Sequence, residues 1–147
     1  MIFKRLNRTS PEQVFAVFKA NEAGIAADDV VALTHNGGAA TPDGVGIEQP
    51  GISATVATNM AVGIADAAIA NGAYGLVQIY GYRSTSRVLG LLTSIAAGVS
   101  LRPVSDADYL ETAAAHAAIA PTFALVDSVP QSGSTGTTSA KIFIRGM

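Results

Sequence analysis

The sequence predicts an all-β fold: a small single-domain barrel or sandwich with Gly- and Pro-rich loops and an extended N-terminal arm. Three observations carry this. Turn-forming residues recur at short intervals, in Asn36-Gly37-Gly38, Pro42-Asp43-Gly44, Pro50-Gly51, Asn71-Gly72 and Gly133-Ser134-Thr135-Gly136, where Gly accepts positive φ and Pro presets the turn. The intervals hold short runs of β-branched and aromatic residues. The clearest run, residues 75–82, alternates at period two directly after Asn71-Gly72.

Each element follows from local chemistry. Residues 14–19 offer two readings. Ser10-Pro11-Glu12-Gln13 resembles a capping box with Pro at the first helical position, which would set Phe15 and Phe18 on one helix face. The run Val14-Phe15-Ala16-Val17-Phe18 favours a strand, because branched and aromatic side chains fit a pleated surface better. Further strands are predicted at 29–34, 45–48, 60–66, 75–82, 86–91, 99–104, 123–129 and 140–145. Residues 106–119, Ala-rich around His116, stay open between a short helix and an extended excursion. Residues 132–139 read as a flexible hairpin loop. In the last strand Ile142 and Ile144 face a core, while Lys141, Phe143 and Arg145 face outward. The domain reading is an arm over residues 1–10 and one β domain over 11–147.

Within 75–82, Val77 and Ile79 point one way and Leu76, Gln78, Tyr80 and Tyr82 the other. The first face can join a core. The second shows Tyr rings and an amide, which suit contact with another protein, since Tyr gives large area at low entropy cost.

A chain of 147 residues is one domain by size. It holds no Cys, which excludes disulfides, thiolate metal sites and Cys nucleophiles. Charged residues make up 14 % and apolar residues 49 %. A soluble monomer carries more surface charge than this, so part of the surface is expected to be covered by copies of the chain or by a larger partner. A net charge of −2 gives no overall case for nucleic acid. The apolar runs 61–70 and 88–99 are interrupted by Asp66 and by Thr93 and Ser94, short of the ~18 clean apolar residues of a spanning helix. No apolar run of signal type follows Lys4 and Arg5, so synthesis in the cytoplasm is expected.

No constellation points to catalysis. Of the two histidines, His35 precedes a Gly-rich turn and His116 sits among alanines, without the ligand spacing of a metal cage. Asp28-Asp29 and Asp106-Ala107-Asp108 lack the ligand ladder of a Ca²⁺ loop and read as solvated turns. Gly133-Ser134-Thr135-Gly136 has the wrong spacing for a nucleophile elbow. No phosphate-cradling Gly motif is present. The expectation is a non-enzyme without metal or cofactor. For contacts with a partner, the candidates are the basic cluster Lys4, Arg5 and Arg8, with Phe3 and Leu6 interleaved, and Tyr80, Tyr82 and Arg83 on the Tyr strand. Arg83 and Arg87 flank the end of that strand, as edge charges or as a polar rim.

Taken together, Ile2-Phe3-Lys4-Arg5, Glu12-Gln13-Val14-Phe15, Asp43-Gly44-Val45, Ala73 through Tyr82, Ala97-Gly98-Val99-Ser100-Leu101 and Ile142-Phe143-Ile144-Arg145-Gly146 form a pattern. It resembles the small head decoration, or cement, proteins of tailed bacteriophages. The resemblance covers most of the chain as a pattern, and residues 74–82 are its most specific block. It implies a non-enzymatic virion subunit on the capsid exterior. It also implies a major capsid protein as partner, a homo-oligomer with the trimer favoured, and neither nucleic acid nor membrane. The alternative is a neck, tail or fibre-associated β module of a phage particle. A small β-barrel hydrolase or cupin-like enzyme is a third and remoter reading.

Overall fold

The computed structural model describes residues 12–21, 24–34, 44–51, 60–89, 96–112, 123–128 and 137–145. These fold into eleven strands, with no α-helix among the described residues: β1 (Gln13–Ala20), β2 (Val30–Leu33), β3 (Gly46–Glu48), β4 (Ala61–Ala65), β5 (Tyr74–Arg83), β6 (Arg87–Leu89), β7 (Ser100–Pro103), β8 (Leu110–Thr112), β9 (Ala124–Ser128), β10 (Thr137–Ser139) and β11 (Lys141–Ile144). The all-β expectation holds, and so does the choice of strand over helix for the first element. Each of the other predicted strands is present within a residue or two of its expected ends. Two strands correct the sequence reading. Residues 137–139, taken as loop, form β10, and the undecided 106–119 stretch contains β8. The predicted N-terminal arm, with Lys4, Arg5 and Arg8, lies outside the described residues, as do His35 and His116.

Strands β1, β3, β2, β4 and β5 pair in that order, and β5 pairs back to β1, closing a five-stranded barrel. Its interior is filled by Ala20, Val31, Ile47, Val62, Ala65 and Val77, with Phe18 and Leu33 partly buried against them. Beyond the barrel, β5 pairs with β11, and the order continues through β9, β7, β8 and β6 to β10. β10 and β11 are two arms of one bent strand. β11 lies on β5 and β10 on β6, and at the corner the Ala140 N–H donates to Ser86 O at 2.9 Å. The second layer therefore curls back on itself.

The two layers share a wall. Val31 and Val62 point into the barrel, whereas their neighbours Val30, Ala61 and Ile64 point out into a second core. There they meet Val88, Leu101, Leu110, Ala124, Val126, Ile142 and Ile144. Alternation normally puts one face of a strand in water. Here both faces are covered, which is why Val30-Val31-Ala32 and Ala61-Val62-Gly63-Ile64-Ala65 read as unbroken apolar runs. β11 follows the ordinary pattern, with Ile142 and Ile144 buried and Lys141 and Phe143 exposed.

Candidate assembly surface

β5 supplies most of the surface, and a single extra residue governs its shape. Against β1, Phe15 stands opposite Gln78 but Val14 stands opposite Tyr80, so Ile79 is a bulge. A bulge disrupts the ladder locally and resets which side chains face which way. Up to Gln78, β5 belongs to the barrel between β1 and β4. From Gly81 onward it carries β11 instead. Gly81 has φ +99°, and a Cβ there would meet Glu12 O at 1.9 Å. The chain can pass this point with no other residue.

Gln78 is fully buried, where the period-two reading put its amide on an outer face with the Tyr rings. It stands opposite Ile64, whose side chain lies in the second core, so it points out of the barrel and under the second layer, while the bulge turns Tyr80 to the other side. The Gln78 Nε2 donates to Tyr82 O at 2.9 Å and to Tyr80 O at 3.3 Å, so it satisfies carbonyls beside the bulge. Its Oε1 accepts from Arg83 Nη1 at 3.2 Å.

Arg83, read from the sequence as a contact residue, sits inside the fold at 6 % exposure. Its Nη2 donates to Asp28 Oδ1 at 2.6 Å and to Ala65 O at 3.0 Å, and its Nη1 pairs with Asp66 at 3.3 Å. A buried guanidinium needs such partners, because an unpaired charge in a low dielectric is costly. Arg87 pairs with Asp29 at 3.0 Å and with Asp108. Thr85 Oγ1, between the two arginines, donates to Asp28 Oδ1 at 3.0 Å. The bend from β5 to β6 is thus clamped to the loop before β2. Asp28, Asp29 and Asp108, read from the sequence as solvated turn residues, anchor that clamp. Burial pushes the Asp29 carboxyl above the usual carboxylate range, against the lowering effect of hydrogen bonds from the Ala26 N–H and from Arg87.

Large apolar side chains are exposed on both sides of the ladder that β5 forms with β1 and β11. Val17 stands opposite Leu76, and the two are 61 % and 49 % exposed. Lys19 stands opposite Tyr74, which is 66 % exposed. Beyond the bulge, Val14 stands opposite Tyr80, on the other side of the sheet from Val17, and Phe143 stands opposite Tyr82 on that same side across the β5–β11 ladder. The rings of Tyr80 and Phe143 meet edge to face. Tyr80 is exposed and Tyr82 is half-buried. Single exposed apolar side chains are ordinary, but seven large ones, all on three adjacent strands, mark two patches suited to protein contact, Phe15, Val17, Tyr74 and Leu76 on one side and Val14, Tyr80 and Phe143 on the other.

Of the six residues singled out from the sequence, the structure thus places Tyr80 in the patch with Phe143, Tyr82 at its inner border and Arg83 on the opposite, buried side of β5. Sequence reasoning missed Val17, Tyr74 and Phe15. The run from Val14 to Phe18 is apolar at every position, so periodicity could not say which side was covered. Phe143 had been assigned correctly to the outer side of its strand. No group of acidic or His residues able to hold a metal occurs among the described residues, and no helix there is long and apolar enough to cross a membrane.

No family model matches the chain, and no curated protein matches it. Among solved structures, the chain is similar to the N base of the head fibre protein gp8.5 of bacteriophage phi29. The identity is 14 %, the match covers 92 % of this chain and 98 % of that one, and the TM-score is 0.46.

Proposed function

We propose that the protein is a structural subunit of a phage particle, a capsid decoration protein that binds the outside of the head and strengthens contacts between capsomers. The observation that carries this reading is the set of large apolar side chains exposed on β1, β5 and β11, in one patch of Val17, Leu76 and Tyr74 and another around the Tyr80–Phe143 pair. It sits on a chain whose two cores are already filled. Such patches add little to the stability of the subunit itself, whereas burying them against a partner gains about 25 cal/mol per Å² of apolar surface. The sequence pattern shared with head decoration proteins supplies the setting. The partner in this reading is the major capsid protein. The basic residues Lys4, Arg5 and Arg8 would meet acidic patches on the shell. Modest contacts repeated over a shell add up through multivalency without tight individual sites.

The test is to localise and count the protein on purified particles by electron microscopy and quantitative mass spectrometry. Hundreds of copies on the head exterior are expected. A dozen or fewer would move the assignment to a neck, tail or fibre module, and absence from the particle would remove the reading altogether.

A further inference from the structure

The two sides of β1 are unequally used. It pairs with β5 from Gln13 to Lys19, but with β3 at Lys19 and Ala20 alone among the described residues. Lys19 N–H donates to Val45 O at 2.9 Å on the β3 side, and Ala20 N–H donates to Ala73 O at 2.9 Å on the β5 side. Main-chain groups alternate sides along a strand, so those of Phe15 and Val17 point the same way as those of Lys19, beyond the end of β3. No hydrogen bond meets them among the described residues. Natural edges are guarded by Lys, Pro or short length. Here the open stretch is Gln13-Val14-Phe15-Ala16-Val17-Phe18, free of charge and of Pro, with Phe15 38 % and Val17 61 % exposed.

We propose that this edge pairs with the same edge of a second copy, as an antiparallel β1–β1 ladder about a two-fold axis at Ala16. Phe15 and Val17 lie one residue to either side of Ala16. The axis therefore sets Phe15 of each copy opposite Val17 of the other, and the open N–H and C=O groups of these two residues meet one another. The side chains brought together are Phe and Val, a favourable cross-strand pair. Charge selects the antiparallel sense. Glu12 precedes β1 and Lys19 lies near its end, so the acidic end of one copy meets the basic end of the other, whereas a parallel pairing would stack Lys19 on Lys19. A second copy is the occupant that this symmetry fits, and the pairing does not depend on the protein being part of a particle.

The experiment uses the full chain in solution, with analytical ultracentrifugation across a concentration series and residue-resolved hydrogen exchange by NMR. A reversible dimer is expected. The amides of Phe15 and Val17 should exchange freely in dilute protein and become protected roughly tenfold or more as the dimer forms, while those of Ala16 and Phe18 stay protected throughout. Val17→Pro removes a donor that no hydrogen bond of the fold uses, and should weaken the dimer roughly tenfold or more. Val17→Thr keeps the donor and should keep the dimer. A monomer at every concentration overturns the proposal. So does any oligomer, a trimer included, whose Phe15 and Val17 amides exchange as fast as in the monomer. Exchange in the unaltered chain decides the matter even where Val17→Pro does not fold.

Discussion

The ring of Phe143 stands edge-on to that of Tyr80, with centroids 5.3 Å apart and planes at 82°. The contact joins β11 to β5 on the side away from Ile142 and Ile144, one residue before the turn of the backbone at Gly81. Edge-to-face pairs contribute about 0.5–1.5 kcal/mol beyond area burial, and both rings remain over a third exposed. Tyr80→Ala and Phe143→Ala should each cost stability by about 1 kcal/mol or less, and a double-mutant cycle in urea should return a coupling of about that size. Ile142→Ala, from a fully buried position beside Phe143, should cost about 2–5 kcal/mol. Equal losses at positions 142 and 143 would show that the outer face is part of the core.

Arg83 serves four acceptors at once, on Asp28, Asp66, Gln78 and Ala65. A planar fork can do this and an ammonium cannot. Arg83→Lys should therefore retain the charge yet lose about 1–3 kcal/mol, since a buried amide oxygen and a carbonyl lose their donor. Arg83→Ala should lose more. Equilibrium unfolding measures both. A fully stable Arg83→Lys protein would mean that charge alone, not the fork, holds the bend.

The raised pKa of Asp29 gives a signed expectation. A carboxyl that binds its proton more readily in the folded than in the unfolded chain costs stability above its folded pKa. That cost is relieved as the pH falls through the folded value toward the unfolded 3.8. Asp29→Asn places a permanently neutral group there. Relative to the unaltered protein the variant should be most favourable at neutral pH, where the folded chain has to hold Asp29 charged in a buried place, and that advantage should shrink as acid protonates Asp29 in the unaltered chain. Urea titrations at neutral pH and at about pH 4 check this. A difference that does not change with pH would assign the raised carboxyl elsewhere.

Gly81→Ala should be among the most damaging single changes in the chain. The positive φ costs about 1–2 kcal/mol for a side chain, and the overlap with the Glu12 carbonyl adds strain that a backbone atom cannot escape. We expect a loss of about 3 kcal/mol or more, seen as a lowered melting temperature or as insoluble protein. Gly72, whose added Cβ would meet nothing within 4 Å, should lose less when changed to Ala.

The strands were largely legible because each carries its own signal: β-rich runs between Gly and Pro turns, and Ile142 and Ile144 in clean alternation. β8 and β10 were not legible. Leu110-Glu111-Thr112 and Thr137-Thr138-Ser139 have little apolar content and become strands because β7, with one residue of β6, offers the first an edge and β6 offers the second one. The candidate surface was half legible. Phe143 followed from alternation, but the bulge at Ile79 parted Tyr80 from Leu76 and Gln78, and no local pattern announces a bulge. Arg83 was misplaced for another reason. Its partner Asp28 is distant in sequence, so an arginine at a strand end looked like a solvent charge until the fold brought the two together.

The shared wall has a further consequence. A strand with one polar and one apolar face is held against slippage by a one-residue offset, because slipping would drown its apolar side chains. β4 has no such safeguard, since Val62 and Ile64 are apolar toward both cores and an offset would bury them just as well. What remains to fix its position is shape. At Gly63 an added Cβ would lie 2.4 Å from Gln78 O and 2.5 Å from Val77 Cγ1, so one place along β4 lets β5 come this close. The alignment of the two cores is keyed by a missing side chain, and a single insertion or deletion within residues 61–65 would move that notch and leave neither core able to close.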